Sequence, residues 1–149
     1  MNLVGEFLIL SERVVVDAFS QHVSVQHCLE TLQASEFPSF HSGFGIFSRY
    51  RVEGPTPEHA TGVDFRLVRV SEADGEEVIA EYPGTWAAGS KRARIATNFR
   101  LLRLKRPEQL LFRVDHRLQG TDWVPGPTCA LDIEQAKPTR DDGATPGAE

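Results

Sequence analysis

The sequence predicts an all-β fold, a two-sheet antiparallel β-sandwich of about eight strands, immunoglobulin-like or similar. Three observations carry this. Short runs rich in Val, Ile, Leu and Phe alternate apolar and polar residues with period two, as strands do when one face meets a core and the other meets water. Clusters of Gly, Pro and Asp interrupt these runs at fairly regular spacing. No stretch sustains a helical period, and residues 28–34 have room for a single helical turn. Many short strands with regular turns read as a sandwich and not as alternating βαβ units.

The chain is organised around residues 6–52. Phe7 to Leu10 and Val14 to Val16 make a first strand ending near Asp17, since β-branched side chains, stiff at χ1, suit a pleated surface. Residues 18–21 are short and polar enough for a hairpin connection. Val23 and Val25 then alternate with Ser24 and Gln26 in a second strand, antiparallel to the first. Pro38 cannot donate to a ladder and marks a corner. From Phe40 the even positions Phe40, Phe44, Ile46, Tyr50 and Val52 are apolar, and Arg49 and Arg51 take the opposite face of a third strand.

Residues 53–62 form a loop by composition. Val63, Phe65 and Leu67 alternate with Asp64 and Arg66 in a fourth strand, and Asp74-Gly75 supplies the positive φ of a tight hairpin turn into a fifth, with Val78, Ala80 and Tyr82. Residues 83–91 read as an irregular crossing. In the sixth strand Ile95, Thr97, Phe99 and Leu101 face one way, and Arg94, Ala96, Asn98 and Arg100 the other. A turn at 105–108 leads to a seventh strand carrying Leu110, Phe112, Val114, His116 and Leu118 inward. Cys129, Leu131 and Ile133 close an eighth. The predicted core comprises Val14, Val16, Val23, Val25, Phe44, Ile46, Phe65, Leu67, Ile95, Phe99, Phe112, Val114, Leu131 and Ile133.

With 149 residues the chain reads as one domain, residues 1–135, able to bury roughly two-thirds of its unfolded surface without a metal or disulfide. Residues 136–149 lack large apolar side chains and are expected to be a disordered polar tail. No apolar run approaches the ~20 residues of a membrane span, and the first ten residues show no basic region or cleavage signal. A cytoplasmic protein with no membrane partner is expected. Cys28 and Cys129 are read as small buried hydrophobes in a reducing compartment in preference to a disulfide.

Several segments resemble a known family: Glu-Arg-Val-Val-Val-Asp at 12–17, His-Val-Ser-Val-Gln-His at 22–27, Glu-Phe-Pro at 36–38, Asp-Gly-Glu at 74–76 and Leu-Leu-Phe-Arg-Val at 110–114. Over most of residues 6–134 the sequence is similar to a family of small bacterial β-sandwich proteins catalogued only as a domain of unknown function. The resemblance implies a sandwich fold and a bacterial source. It implies no active site.

The residues themselves point to no chemistry. His22, His27, His41, His59 and His116 form no closely spaced ligand pair, and His22 and His27, five apart on a strand, face opposite ways. Ser42 and Ser90 lack the strand-to-helix context of an activated nucleophile, and Gly89-Ser90-Lys91 is too short to cradle a phosphate. Glu76 and Glu77 lie at a hairpin and point apart. No catalytic residue, no cofactor and no metal is therefore expected, and the protein is read as no enzyme.

Two binding readings remain. The first is a protein-interaction or assembly module whose partner is another protein, engaged through a sheet edge or loops, with homo-oligomerisation through sheet edges left open. The second is binding of an anionic ligand or polymer. Between Lys91 and Arg117 lie nine basic residues and two acids, a net +7 in a chain whose total is −5. Arg49, Arg51, Arg92, Arg94, Arg100, Arg113 and Arg117 would share one surface if their three strands share a sheet. The plainer alternative is a solvated face that keeps edges from aggregating. The acidic total and few aromatics beside the arginines disfavour nucleic acid. Trp86 and Trp123, both placed in loops, would form a carbohydrate platform if exposed side by side; otherwise each is a lid on the core.

Overall fold

The computed structural model describes residues 1–138. Within them the chain is all β, with no helix and nine strands: β1 (Asn2–Val16), β2 (Val23–Cys28), β3 (Thr31–Ala34), β4 (Ser39–Glu53), β5 (Thr61–Ser71), β6 (Gly75–Trp86), β7 (Arg92–Leu104), β8 (Glu108–Leu118) and β9 (Thr128–Gln135). They form a two-sheet sandwich, with order β2-β1-β4-β7 in one sheet and β3-β9-β8-β5-β6 in the other. All pairs are antiparallel except β3 with β9. Taken as strands A, B and E, β1, β4 and β7 lie side by side as in immunoglobulin domains, and β9-β8-β5-β6 reproduces G-F-C-C′. The tail expected at 136–149 lies mostly outside the described residues.

The core fills the space between the sheets. Leu10, Phe44, Ile46 and Tyr50 face Val63, Leu67, Leu110, Phe112, Val114 and Leu131, all 1% exposed or less. The Phe44 ring lies 5.2 Å from Phe99 and 5.3 Å from Phe112, and Tyr50 lies 4.9 Å from Phe65. The Tyr50 hydroxyl donates to the Val114 carbonyl at 2.7 Å, joining the two sheets. Gly126 makes room for this bond: a Cβ there would lie 2.1 Å from both the hydroxyl and that carbonyl.

The expected hairpins form, β1 with β2 and β5 with β6, the latter turning at Gly75 with φ +77°. The Phe37–Pro38 bond at the predicted corner is cis. Three features depart from the sequence reading. Residues 31–34, where a helical turn was the alternative, are strand β3, bound parallel to β9. Residues 83–86, expected to be irregular, extend β6 to Trp86 opposite Thr61. Strict alternation also fails in the β4–β7 pair. Gly43, in the left-handed region at φ +81°, sits opposite Arg100, and inward positions resume three residues apart on both strands. Phe40 and Leu101 are therefore 62% and 58% exposed, while Leu102 and Leu104 take the core places.

The β1–β2 hairpin also leaves the core. After Ser11, the last β1 residue paired with β4, the chain crosses the outer face of that sheet. Val14 lies over Gly45, whose missing side chain leaves the space, and the Asn98 side chain binds both the Val14 N–H (2.8 Å) and its carbonyl (2.7 Å). Val14 is thus buried outside the sandwich. Val16 is exposed, and Val23 and Val25 are only half-buried, so these four do not belong to the inter-sheet core as expected. Cys28 ends the edge strand β2 and is exposed, and Cys129 is half-buried; both are free thiols. Burial raises the pKa of the Cys129 thiol.

Candidate functional site

The arginines singled out from the sequence fall on two sheets. Arg49 and Arg51 (β4) and Arg92, Arg94 and Arg100 (β7) project from the four-stranded sheet, whereas Arg113 and Arg117 (β8) belong to the five-stranded one. A single seven-arginine face does not form. The reason is topological: strands equivalent to B and E pair with each other, and the F strand lies in the opposite sheet.

On the five-stranded sheet the charges satisfy one another. Asp115 points outward yet is only 1% exposed, because Arg66, Arg113 and the β8–β9 connection cover it. It accepts from Arg66 Nε at 3.0 Å and from Arg113 Nε and Nη2 at 2.5 and 3.0 Å, and Arg113 also reaches Glu76 at 2.9 Å. These bonds raise the Arg113 pKa above its ordinary value and lower that of Glu76. Arg117 pairs with Asp64 at 3.1 Å. The Arg66 and Arg117 guanidinium groups both lie over the Trp123 ring, 4.5 and 4.4 Å from its centroid, two cation–π contacts that hold the connection onto the sheet. Trp86 is 3% exposed in the core and donates to the Ser90 carbonyl at 2.9 Å. The two tryptophans form no shared platform: one is a core residue and the other a lid on an outer face.

The four-stranded sheet is divided. Arg49 pairs closely with Glu6, and Arg51 lies within 4 Å of both Glu6 and Glu53. On β7, by contrast, Arg92, Arg94, Arg100 and Arg103 make no ion pair among the described residues. Arg94 instead donates to the Gln21 carbonyl and to Gln21 Oε1, tying the hairpin tip to β7. At that tip Asp17 Oδ1 accepts from the Phe19 N–H, the Ser20 N–H and the Ser20 hydroxyl, and Phe19 stands 99% exposed. Those bonds lower the Asp17 pKa.

β7 is also an open edge. It runs thirteen residues, contains no proline and, among the described residues, pairs only with β4. The other edges are shorter or interrupted: β2 has six residues and β3 four, and β6 carries a bulge opposite Leu67/Val68 and Pro83 in its C-terminal third. Between the β6 and β7 edges the sandwich is open. One cavity of about 330 Å³ there is lined by residues 82–86 and 93–97, and another of about 210 Å³ by Phe44, Arg69, Phe99 and neighbours. Sequence reasoning missed Arg69, and alternation offered a signal: Val63, Phe65, Leu67 and Arg69 share one face of β5.

Among the described residues no group of three or more His, Cys, Asp or Glu is placed to hold a metal, and no helix is long and apolar enough to cross a membrane. His22 and His27 are exposed, His27 bonding Glu12 at 2.8 Å. His116 faces inward edge-on to Tyr50, 5.2 Å between centroids, and its Nδ1 is buried without a partner. Burial lowers its pKa, outweighing the opposing pull of the Asp115 charge. The folded state therefore favours neutral His116. Its contribution is fully present above the ordinary value of 6.5 and is lost as the pH falls below it. Thermal melts from pH 7.5 to 5 should show a falling Tm that H116F flattens; parallel curves would clear His116 of the effect.

No protein-family model matches this chain, and no curated protein does either.

Proposed function

We propose that this protein is a non-enzymatic interaction module that accepts an extended segment of a partner protein along the free edge of β7. The observation that carries this reading is the contrast in charge pairing: Arg49, Arg51, Arg66, Arg106, Arg113 and Arg117 all have carboxylate partners, and the four arginines of the open edge strand have none among the described residues. An added strand would use the unpaired backbone groups of β7. Because strand side chains alternate between faces, its acidic residues would lie over Arg92 and Arg100 and its apolar residues would enter the opening between the sheets. A second copy docking β7 against β7 would bring like charges together, which disfavours the homo-oligomer in that geometry.

The test uses a synthetic peptide of alternating Val and Glu, its Val-Lys counterpart, and heparin. The Val-Glu peptide is expected to bind, to protect β7 amides from hydrogen exchange, and to weaken steeply with added salt. R92E/R100E should reduce its association rate at least tenfold with little change in Tm. Arg94 and Arg113 are poorer choices for reversal, since one holds Gln21 and the other Asp115. Tighter binding of heparin than of the peptide would favour the anionic-polymer reading, and binding unaffected by the reversal would exclude β7.

A further inference from the structure

We propose that the smaller opening between β6 and β7 is a carboxylate-binding site, with Arg69 as its anion-recognising residue and an apolar wall for the aliphatic or aromatic stem of the acid. Arg69 occupies an inward position of β5, opposite Phe112, and is only 6% exposed. It sits where the same face of the strand otherwise carries Val63, Phe65 and Leu67. A guanidinium placed there loses much of its hydration, a cost that an opposite charge and further hydrogen bonds must offset.

The protein supplies only part of that replacement. Nη1 donates to the Arg103 carbonyl at 2.8 Å, the one hydrogen bond of the side chain among the described residues, and no carboxylate lies within ion-pair distance. None of the remaining Arg69 nitrogens is both buried and unsatisfied, so their donors are not sealed in the core. The space beside them is a cavity of about 210 Å³ lined on the β7 side by Phe99, Leu101 and Leu102, and on the β6 side by Glu77, Val78 and Ile79. Its lips are apolar and open: Val78 is 44% and Leu101 58% exposed.

This pairing of a forked cation with hydrocarbon walls selects the ligand class. A guanidinium presents parallel N–H donors that match the two oxygens of a carboxylate, and in a partly desolvated site that charge-assisted pair is stronger than in water. At ~30 Å³ per water the cavity corresponds to about seven waters, the scale of a short acid or of one terminal residue of a peptide. Two charged side chains border the site. Glu77, the cross-strand neighbour of Arg69, is exposed and makes no ion pair among the described residues, and its charge opposes an incoming anion; Arg103 contributes its carbonyl, with its side chain on the outer face. The site does not rest on strand docking at β7, because Arg69 faces inward and Arg92 and Arg100 face outward.

The experiment is calorimetric titration of the full chain with hexanoate and with hexanamide, its neutral counterpart, together with a short leucine-terminated peptide bearing a free or an amidated C-terminus. The acid should bind at least tenfold more tightly than the amide in whichever pair binds best, which also identifies whether the source is a free acid or a peptide terminus. R69M should erase that preference, R69K should retain part of it, and E77Q should strengthen acid binding severalfold. A side-chain NMR signal from Arg69 Nε–H that moves with hexanoate but not hexanamide reports the same contact in the wild-type chain, should R69M fail to fold. Equal binding of acid and amide, or no binding of either, overturns the proposal, as does a preference that survives in folded R69M. R92E/R100E should leave hexanoate binding unchanged, so this site and the β7 edge stand or fall separately.

Discussion

Replacing Phe112 with alanine is expected to destabilise the protein by about 3–5 kcal/mol, the range for deleting a fully buried aromatic side chain and leaving a cavity. Phe112 is 0% exposed, lies against Phe44 at 5.3 Å, and sits on β8 between β5 and β9, so neither sheet can close over the space. Phe99 provides the internal comparison. The alternation of its strand places it inward too, but on the edge strand β7 it is only partly buried, and F99A should cost clearly less. Urea denaturation of both variants measures the difference. A loss below ~1 kcal/mol for F112A would mean that the two sheets do not pack through this ring.

The second large effect is expected at Asp115. D115A should cost about 3 kcal/mol, near the lower end of the range for breaking a buried ion pair, because Arg113 keeps Glu76 and both Arg66 and Arg117 keep the Trp123 ring. The loss comes from stranding two guanidinium groups, with side chains 20% and 15% exposed, beside an apolar gap. Replacing the group as a whole reverses that logic. R66M/D115L/R113M removes the charges together and should recover most of the stability lost in D115A. If the triple variant is no better than D115A by denaturant midpoint, the network contributes more than its desolvation cost.

Asp115 shows why charge counts along a chain do not define a surface. The basic window from Lys91 to Arg117 is real in sequence, yet the fold separates its members onto two outer faces and returns acids to some of them: Asp115 and Glu76 to Arg113, Asp64 to Arg117, and Asp74 to Arg106. Each of these acids except Asp115 lies outside the window. What remains unpaired among the described residues is narrower, Lys91 and the arginines of β7 that follow it, and it coincides with the longest uninterrupted edge.

The fold class was legible because it depends on local physics. Period-two alternation, β-branched residues and the Asp74-Gly75 turn act over two to ten residues, and they place β1, β2, β4, β5, β7, β8 and β9 within a few residues of where they form. β3 was not legible, since four residues at an edge are stabilised by the parallel ladder with β9, about a hundred residues away. The reversal of facing at Gly43 and Arg100 was hidden for a similar reason: Phe40 and Leu101 continue the alternation on paper, and only the irregularity of the paired strands at Gly43 turns them to solvent. By itself the sequence determined that the chain builds an antiparallel sandwich and which residues carry charge. Which charges meet, that Trp86 is core and Trp123 a lid, and that Arg69 faces inward with no carboxylate of the described residues beside it were decided by tertiary structure, because pairing energies depend on distances between strands that no one-dimensional spacing encodes.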